Sequence, residues 1–356
     1  MEPSAFVWYA LGAALVYVLM SALDKGLKAQ KKRRLQQSTC ADAPTIFVLM
    51  YAYKDNYAAA STMRHMLLHA LCPARLSFGI VQCVTATSKD VYGLYQQASA
   101  YDPYVSKTIR VKTFHAGQYP TTLEAYDIAL DQLYAGETYV LITTPGTIFA
   151  EQFDVELTKQ YRSLPTKRAV LTSHGKKFTM GQVKPSMTPN ILTYMAATFP
   201  EHVPVDQTAW FPCYQSYDNY PVLTARAAPN MQERPIPAIA CSTICSFFKG
   251  PPSFHYGGED GWDASFVLSN ALFQQRYRFY ASPRTVAFPR TTSPKFMVKT
   301  NLEGSGSGYY NYAGVDRTTY ECYGRARLGL RSGFTAKDIE RKYGNDENFQ
   351  IAKSTL

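Results

Sequence analysis

Glu259 and Asp260 stand side by side in the run Gly257-Gly258-Glu259-Asp260-Gly261-Trp262, bracketed by glycines. Two carboxylates in a glycine-bracketed loop suit general-base work or the binding of an acceptor hydroxyl. Just ahead of a helical pattern, the same acids would also complement the positive end of that helix's dipole. Asp55 follows an apolar run in Tyr51-Ala52-Tyr53-Lys54-Asp55-Asn56-Tyr57. Its carboxylate could meet the base or sugar of a nucleotide, or cap the helix that comes next. Other groupings offer poorer chemistry. His65 and His69 are four apart, but a zinc protease needs a glutamate directly after the first, and Met66 holds that place. Cys241 and Cys245 lie in an apolar run without a second cysteine pair to complete a zinc site, and read as buried thiols. A phosphate-cradling G-x-x-x-x-G-K loop and a G-x-S-x-G nucleophile elbow are both absent from the sequence.

Such residues need elements to hold them. Thr45–Tyr51 reads as a buried strand, followed by a helix over Tyr57–Leu71 that ends before Cys72-Pro73. Leu76–Val84 is a second strand, Asp90–Ala100 a helix and Ile109–Phe114 a third strand. Thr121 with Glu124 makes a capping box for a helix reaching Tyr134, with Gly136 as its stop. Tyr139–Ile142, a helix over Glu151–Tyr161, and Ala169–Thr172 continue the alternation. Residues 176–240 are Pro-rich and read as irregular; Asp263–Phe273 is helical and Tyr277–Tyr280 strand-like. Strands alternating with helices imply an α/β domain with a mostly parallel sheet. Ligands of such sheets sit beyond the carboxyl ends of the strands, so the loops after Tyr51, Val84, Ile142 and Thr172 are the ones to watch.

The chain has 356 residues, with an apolar fraction of 46% and an aromatic fraction of 14%. That much apolar side chain excludes a disordered chain. The seven cysteines are too few for a disulfide-stapled miniprotein, and without an evident pairing scheme they fit a reducing compartment. Residues 4–23 are free of charge and about 30 Å long as a helix, which matches the hydrocarbon core of a bilayer. Six bases follow within eleven residues: Lys25, Lys28, Lys31, Lys32, Arg33 and Arg34. Positive flanks stay on the cytosolic or matrix side, so the N-terminus is expected outside and the large domain inside. Outside residues 1–37 the net charge is only +6, with no basic stripe, which speaks against nucleic acid as a partner. The organisation expected is a transmembrane helix over 4–23, a basic segment and linker over 24–44, a main domain over 45–290 and an extension over 291–356.

The order of short motifs resembles the GlcNAc-transferase family 60, cytoplasmic enzymes of GT-A fold that modify hydroxyproline. Ala52-Tyr53-Lys54-Asp55 stands where the family has Ser-Tyr-Arg-Asp. Cys72-Pro73-Ala74-Arg75-Leu76 matches its Asn-Pro-x-Arg-Leu turn, and Leu133-Tyr134-Ala135-Gly136-Glu137 its Leu-Tyr-x-Gly-Glu. Tyr256-Gly257-Gly258-Glu259-Asp260 echoes Phe-x-Gly-Glu-Glu, and Arg278-Phe279-Tyr280-Ala281-Ser282-Pro283 echoes Asp-Phe-x-x-Pro. The resemblance implies a GT-A-like nucleotide-sugar-transferase domain with a mixed, mostly parallel sheet. It also implies a nucleotide-sugar contact at Asp55 and catalytic positions at Glu259 and Asp260. The departures are as informative. The family's Asp-x-His metal triplet after the fourth strand is replaced by Thr143-Thr144-Pro145, and its Ala-Arg pair on the preceding helix by Tyr126-Asp127. Thr and Pro cannot supply the hard anionic oxygen and the imidazole that such a metal wants.

Three readings follow. The favoured one is a catalytically degenerate glycosyltransferase-like protein serving as an accessory subunit of a membrane complex, with a mitochondrial respiratory assembly in the inner membrane preferred. It would need no cofactor, its acids would be vestigial, and it would meet lipid and other subunits through the six bases and through Trp210 and Phe211. The alternatives are an active UDP-sugar transferase, in which Lys176 and Lys177 replace the divalent metal, and a nucleotide-sugar or glycan binder without turnover.

Overall fold

The computed structural model describes residues 40, 42–53, 55–85, 89–99, 108–115, 119–173, 178–179, 203–205, 210–217, 220–227, 234–238, 240–252 and 264–291. The chain divides between Ala43 and Pro44 into two units, and the second holds every element named below. β1 (Ile46–Tyr53) leads into α1 (Asn56–His69), and a single 3-10 turn at Pro73–Arg75 opens β2 (Leu76–Val84). The alternation continues with α2 (Val91–Ser99), β3 (Ile109–His115), α3 (Thr122–Gln132), β4 (Tyr139–Ile142), β5 (Ile148–Phe149), α4 (Phe153–Arg162) and β6 (Ala169–Thr172). Then come β7 (Phe178–Thr179), β8 (Trp210–Tyr217), β9 (Tyr220–Ala227), β10 (Ile236–Ala238) and β11 (Ser246–Lys249). The last elements are α5 (Ala264–Gln274), β12 (Arg278–Ala281), β13 (Ala287–Phe288) and β14 (Arg290–Thr291).

Eight strands make one sheet in the order β10-β12-β6-β11-β4-β1-β2-β3. β1 to β4 run parallel to one another, and β12 runs parallel to β6. β11 is inserted antiparallel between β4 and β6, and β10 lies antiparallel on β12 at the edge. This is the mixed, mostly parallel sheet the sequence leads one to expect. Every residue of β2, β4 and β6 is buried, because helices cover a parallel sheet on both faces; such strands therefore read as unbroken apolar runs. α1 packs on α2, β1 and β5, α3 on β1, β2 and α5, and α4 on β6 and β11.

Local sequence explains most boundaries. The capping box is formed as expected: the Glu124 amide donates to Thr121 Oγ1 at 3.3 Å, and the Thr121 amide donates to the Glu124 carboxylate at 2.7 Å. α3 ends at Gln132, two residues short of the expectation, and Gly136 takes a φ of 90° in the turn that enters β4. The Phe47 ring fills the space above Gly79, where an added Cβ would stand 2.1 Å from Phe47 Cζ. Gly79→Ala is therefore expected to cost about 1–3 kcal/mol by overpacking. An unchanged midpoint in urea unfolding would show that the ring moves aside freely.

One reading is corrected. The irregular backbone expected over 176–240, which includes Trp210 and Phe211, contains a hairpin. β8 pairs antiparallel with β9 from Trp210↔Ala227 and Phe211↔Arg226 through Tyr217↔Tyr220, and the ribbon lies against α5 and β12. A two-stranded ribbon satisfies its backbone groups pairwise, so it can form without a clean apolar alternation in sequence. The apolar segment 4–23 and the bases Lys25, Lys28, Lys31, Lys32, Arg33 and Arg34 lie outside the described residues. Among the described residues, no helix is long and apolar enough to cross a membrane.

Candidate functional site

The carboxyl ends of β1 and β2 bring together residues that the sequence leaves far apart. Tyr51 donates its hydroxyl to the Pro120 carbonyl at 2.6 Å and stands 3.4 Å from the Cys83 thiol. The Tyr53 ring meets Tyr119 edge-on with centroids 5.3 Å apart, and lies 6.3 Å from the ring of Tyr51. Burial, reinforced by the contact with the Cys83 thiol, pushes the Tyr51 hydroxyl well above the ordinary tyrosine range. Burial likewise raises the Cys83 thiol, so neither group is poised as a nucleophile. What this corner offers is aromatic surface: Tyr53 and Tyr119 are both half-buried and flank the entrance to α1. Asp55 stands at the N-cap position of α1, where its carbonyl accepts from the Ala59 amide at 3.0 Å. Its carboxylate does not cap that helix, so the capping role weighed in the sequence is not the one it plays.

The loop after β4, where the resemblance implies a metal triplet, is bonded to its surroundings. Thr143 is fully buried and donates its hydroxyl to the Ile244 carbonyl at 2.7 Å. Thr144 and Thr147 share a hydroxyl–hydroxyl hydrogen bond of 3.0 Å. Thr62, on α1, accepts from the Gly146 amide at 2.9 Å and donates to the Thr147 carbonyl at 3.1 Å. Gly146 allows the tight turn with a φ of 84°. The loop therefore presents structural hydroxyls in place of anionic oxygens. Among the described residues, no group of three or more His, Cys, Asp or Glu converges as a metal cage. On α3, Tyr126 is core while Asp127 is exposed.

A cavity of about 840 Å³ opens between α2 and the edge strand β3, within the size range of small-molecule sites. Val84, Leu94, Ile109 and Val111 give it apolar lining, and Lys89 and His115 are its basic groups. Gln82 builds the wall: its amide nitrogen donates to Thr113 Oγ1 at 2.9 Å, and its carbonyl accepts from the Val91 amide at 2.7 Å. The loop after Val84 was among the four the sequence pointed to, but Tyr119 was not singled out. Its signal was the Tyr-Pro pair directly ahead of the capping box. Glu259 and Asp260 lie outside the described residues, immediately before α5.

Two motifs that carried the family resemblance are structural. In Leu133–Glu137, Tyr134 donates its hydroxyl to the Glu137 carbonyl, and the Ala135 amide donates to the Glu137 carboxylate at 3.0 Å. That carboxylate also pairs with Arg110 on β3. Around Cys72–Leu76, the Leu71 and Cys72 amides donate to the two oxygens of Asp154 at 2.9 and 2.8 Å.

No protein-family profile and no curated protein matches the chain in sequence. Among solved structures, it is similar to the mannosyltransferase PcManGT from Pyrobaculum calidifontis in complex with GDP-Man and Mn2+, at 10% identity and a TM-score of 0.42, covering 95% of this chain and 93% of that one. It is also similar to S. aureus TarS 1-349 in complex with UDP-GlcNAc, at 10% identity and a TM-score of 0.37, covering 86% of this chain and 73% of that one.

Proposed function

We propose that this chain carries a GT-A-type, glycosyltransferase-like domain that does not perform metal-dependent sugar transfer. The sheet, with its parallel β1 to β4 and a single antiparallel strand between β4 and β6, supports the GT-A-like part of the reading. The observation that carries the rest is the Thr143 hydroxyl, buried and donated to Ile244. A metal bridging a sugar nucleotide's diphosphate needs carboxylate oxygen at that loop, and the transfer needs the metal's charge on the leaving group. Thr143, Thr144 and Pro145 provide neither. Released from that chemistry, the domain serves as a scaffold in a membrane assembly, a role that the apolar segment 4–23 supports.

Titration calorimetry with UDP, with and without manganese, tests this. The expected result is no manganese-dependent heat. Tight, manganese-dependent binding of UDP to the unaltered chain would overturn the reading. Restoring the triplet is not expected to rescue it. Thr143→Asp puts a carboxylate into a fully buried site whose neighbour is a carbonyl oxygen, costing about 3 kcal/mol or more in stability. Urea unfolding of the Thr143→Asp, Pro145→His variant reads that loss directly.

A further inference from the structure

β3 closes the eight-stranded sheet at one edge, and its outer side pairs with no other strand among the described residues. Every residue of β2 is buried, yet none of β3 is. The reason is the placement of α2, which packs on α1 and leaves the cavity of about 840 Å³ between itself and β3. The alternate residues Ile109, Val111, Thr113 and His115 line that cavity. Two half-buried apolar side chains thus face a space that a helix fills in a fully covered parallel sheet. An open edge of this kind is a template for one more strand, and its length of about 20 Å suits a segment of about seven residues.

We infer that β3 and the cavity beside it receive an extended segment of a partner protein, alternating apolar and acidic residues, with its carboxyl terminus at the His115 end. The inference supplies a partner chemistry for the scaffold role proposed above and rests on that reading. Charge selects the occupant. β3 runs Ile109-Arg110-Val111-Lys112-Thr113-Phe114-His115 and holds no acid. Arg110 is paired with Glu137, which leaves Lys112, on the same face of the strand, to meet an acid across the new ladder. Apolar residues of the added strand would lie on the other face, beside Ile109 and Val111. At the carboxyl end, His115 stands opposite Val84 in the register, and both His115 and Lys89 line the cavity. Asn56 donates to the Lys89 carbonyl at 2.7 Å, which anchors the backbone of this exposed base. Asp90, the acid among the lining residues, turns its carboxylate to the Gly93 amide at 2.8 Å. A strand parallel to β3 ends here, so its terminal carboxylate meets two bases. A second copy of this chain is a poor occupant, because two β3 strands would set base against base.

The test uses the full chain and a labelled heptapeptide of alternating valine and glutamate with a free carboxyl terminus. Fluorescence anisotropy reads binding, and hydrogen exchange of the chain reads where it occurs. The expected result is saturable binding that slows amide exchange within Ile109–His115, and no binding of the same peptide with lysine in place of glutamate. Lys112→Glu and His115→Glu should each weaken binding by about threefold to tenfold. Urea midpoints of both variants verify folding. His115 is exposed, so its variant remains informative if Lys112→Glu proves unstable. Failure of the glutamate peptide to bind, equal binding of the two peptides, or binding without slowed exchange in β3 would overturn the inference. So would slowed exchange in β3 produced by self-association alone or by decanoate alone. None of these outcomes touches the absence of metal-dependent transfer, which UDP calorimetry decides separately.

Discussion

Replacing Arg110 with Ala lowers stability by about 3 kcal/mol, because it strands the Glu137 carboxylate in a site where its side chain is 8% exposed. Arg110 also lies over the Phe47 ring, 5.1 Å from its centroid, and Phe47 in turn meets Tyr134 edge-on at 5.6 Å. The guanidinium thus ties the edge strand β3 to the turn before β4 and to the core side of β1. Burial pushes the Glu137 carboxyl up, but the Ala135 amide, its own amide and the Arg110 guanidinium outweigh this and hold it below its ordinary value of 4.5. The sign follows from linkage: a carboxyl depressed by folding contributes stability above its unfolded value, and that contribution is lost as pH falls through the folded value. The Glu137 contribution should therefore be lost below about pH 4.5, and urea midpoints of Glu137→Gln should fall less steeply there than those of the unaltered chain. Arg110→Ala and Glu137→Gln combined should cost clearly less than the sum of the two. Additive losses would mean that the pair does not act as a unit.

The same pair shows how far the sequence could be read. Leu133–Glu137 was recognisable as a motif, yet its type and spacing suggested ancestry and not the bond network it makes, because Arg110 is supplied by β3. The β1 to β4 frame was legible because strands buried on both faces are continuous apolar runs, and because a capping box is a local signal carried by Thr121 and Glu124 themselves. β11 was missed for the opposite reason. It is four residues long, its partners β4 and β6 are remote in sequence, and nothing local tells a strand which way to run. The hairpin β8–β9 did leave a trace, the two residues Asp218-Asn219 between strands, but aromatic and Pro residues hid its alternation. At the candidate site, Asp55 was singled out because it follows a strand. The commitment of Thr143 to Ile244 was invisible, since the bond spans a hundred residues.

Asp154→Ala should be among the costliest substitutions in α4, although nothing in its sequence context singles it out. The carboxylate is 4% exposed and accepts both the Leu71 and Cys72 amides, fixing the exit of α1 to the first turn of α4. Ala leaves two buried donors without acceptors, at about 1–3 kcal/mol each, so a loss of about 3–5 kcal/mol is expected. Asp154→Asn is the informative companion. Burial raises the Asp154 carboxyl above its ordinary 3.8, and the four amide contacts that favour the charged form recover only part of that. A carboxyl raised by folding binds its proton more tightly in the native state, so its contribution to stability falls as pH rises from the unfolded value through the folded one. This slope opposes that of Glu137 and begins where Glu137 is recovering. Asn carries no charge to desolvate but offers one acceptor in place of two, so it should cost less than Ala and abolish the downward slope. The measurement is urea unfolding of the three proteins across the acid range. If Asn proves as costly as Ala and the slope survives in both, the two amides find other acceptors and Asp154 does not hold this junction.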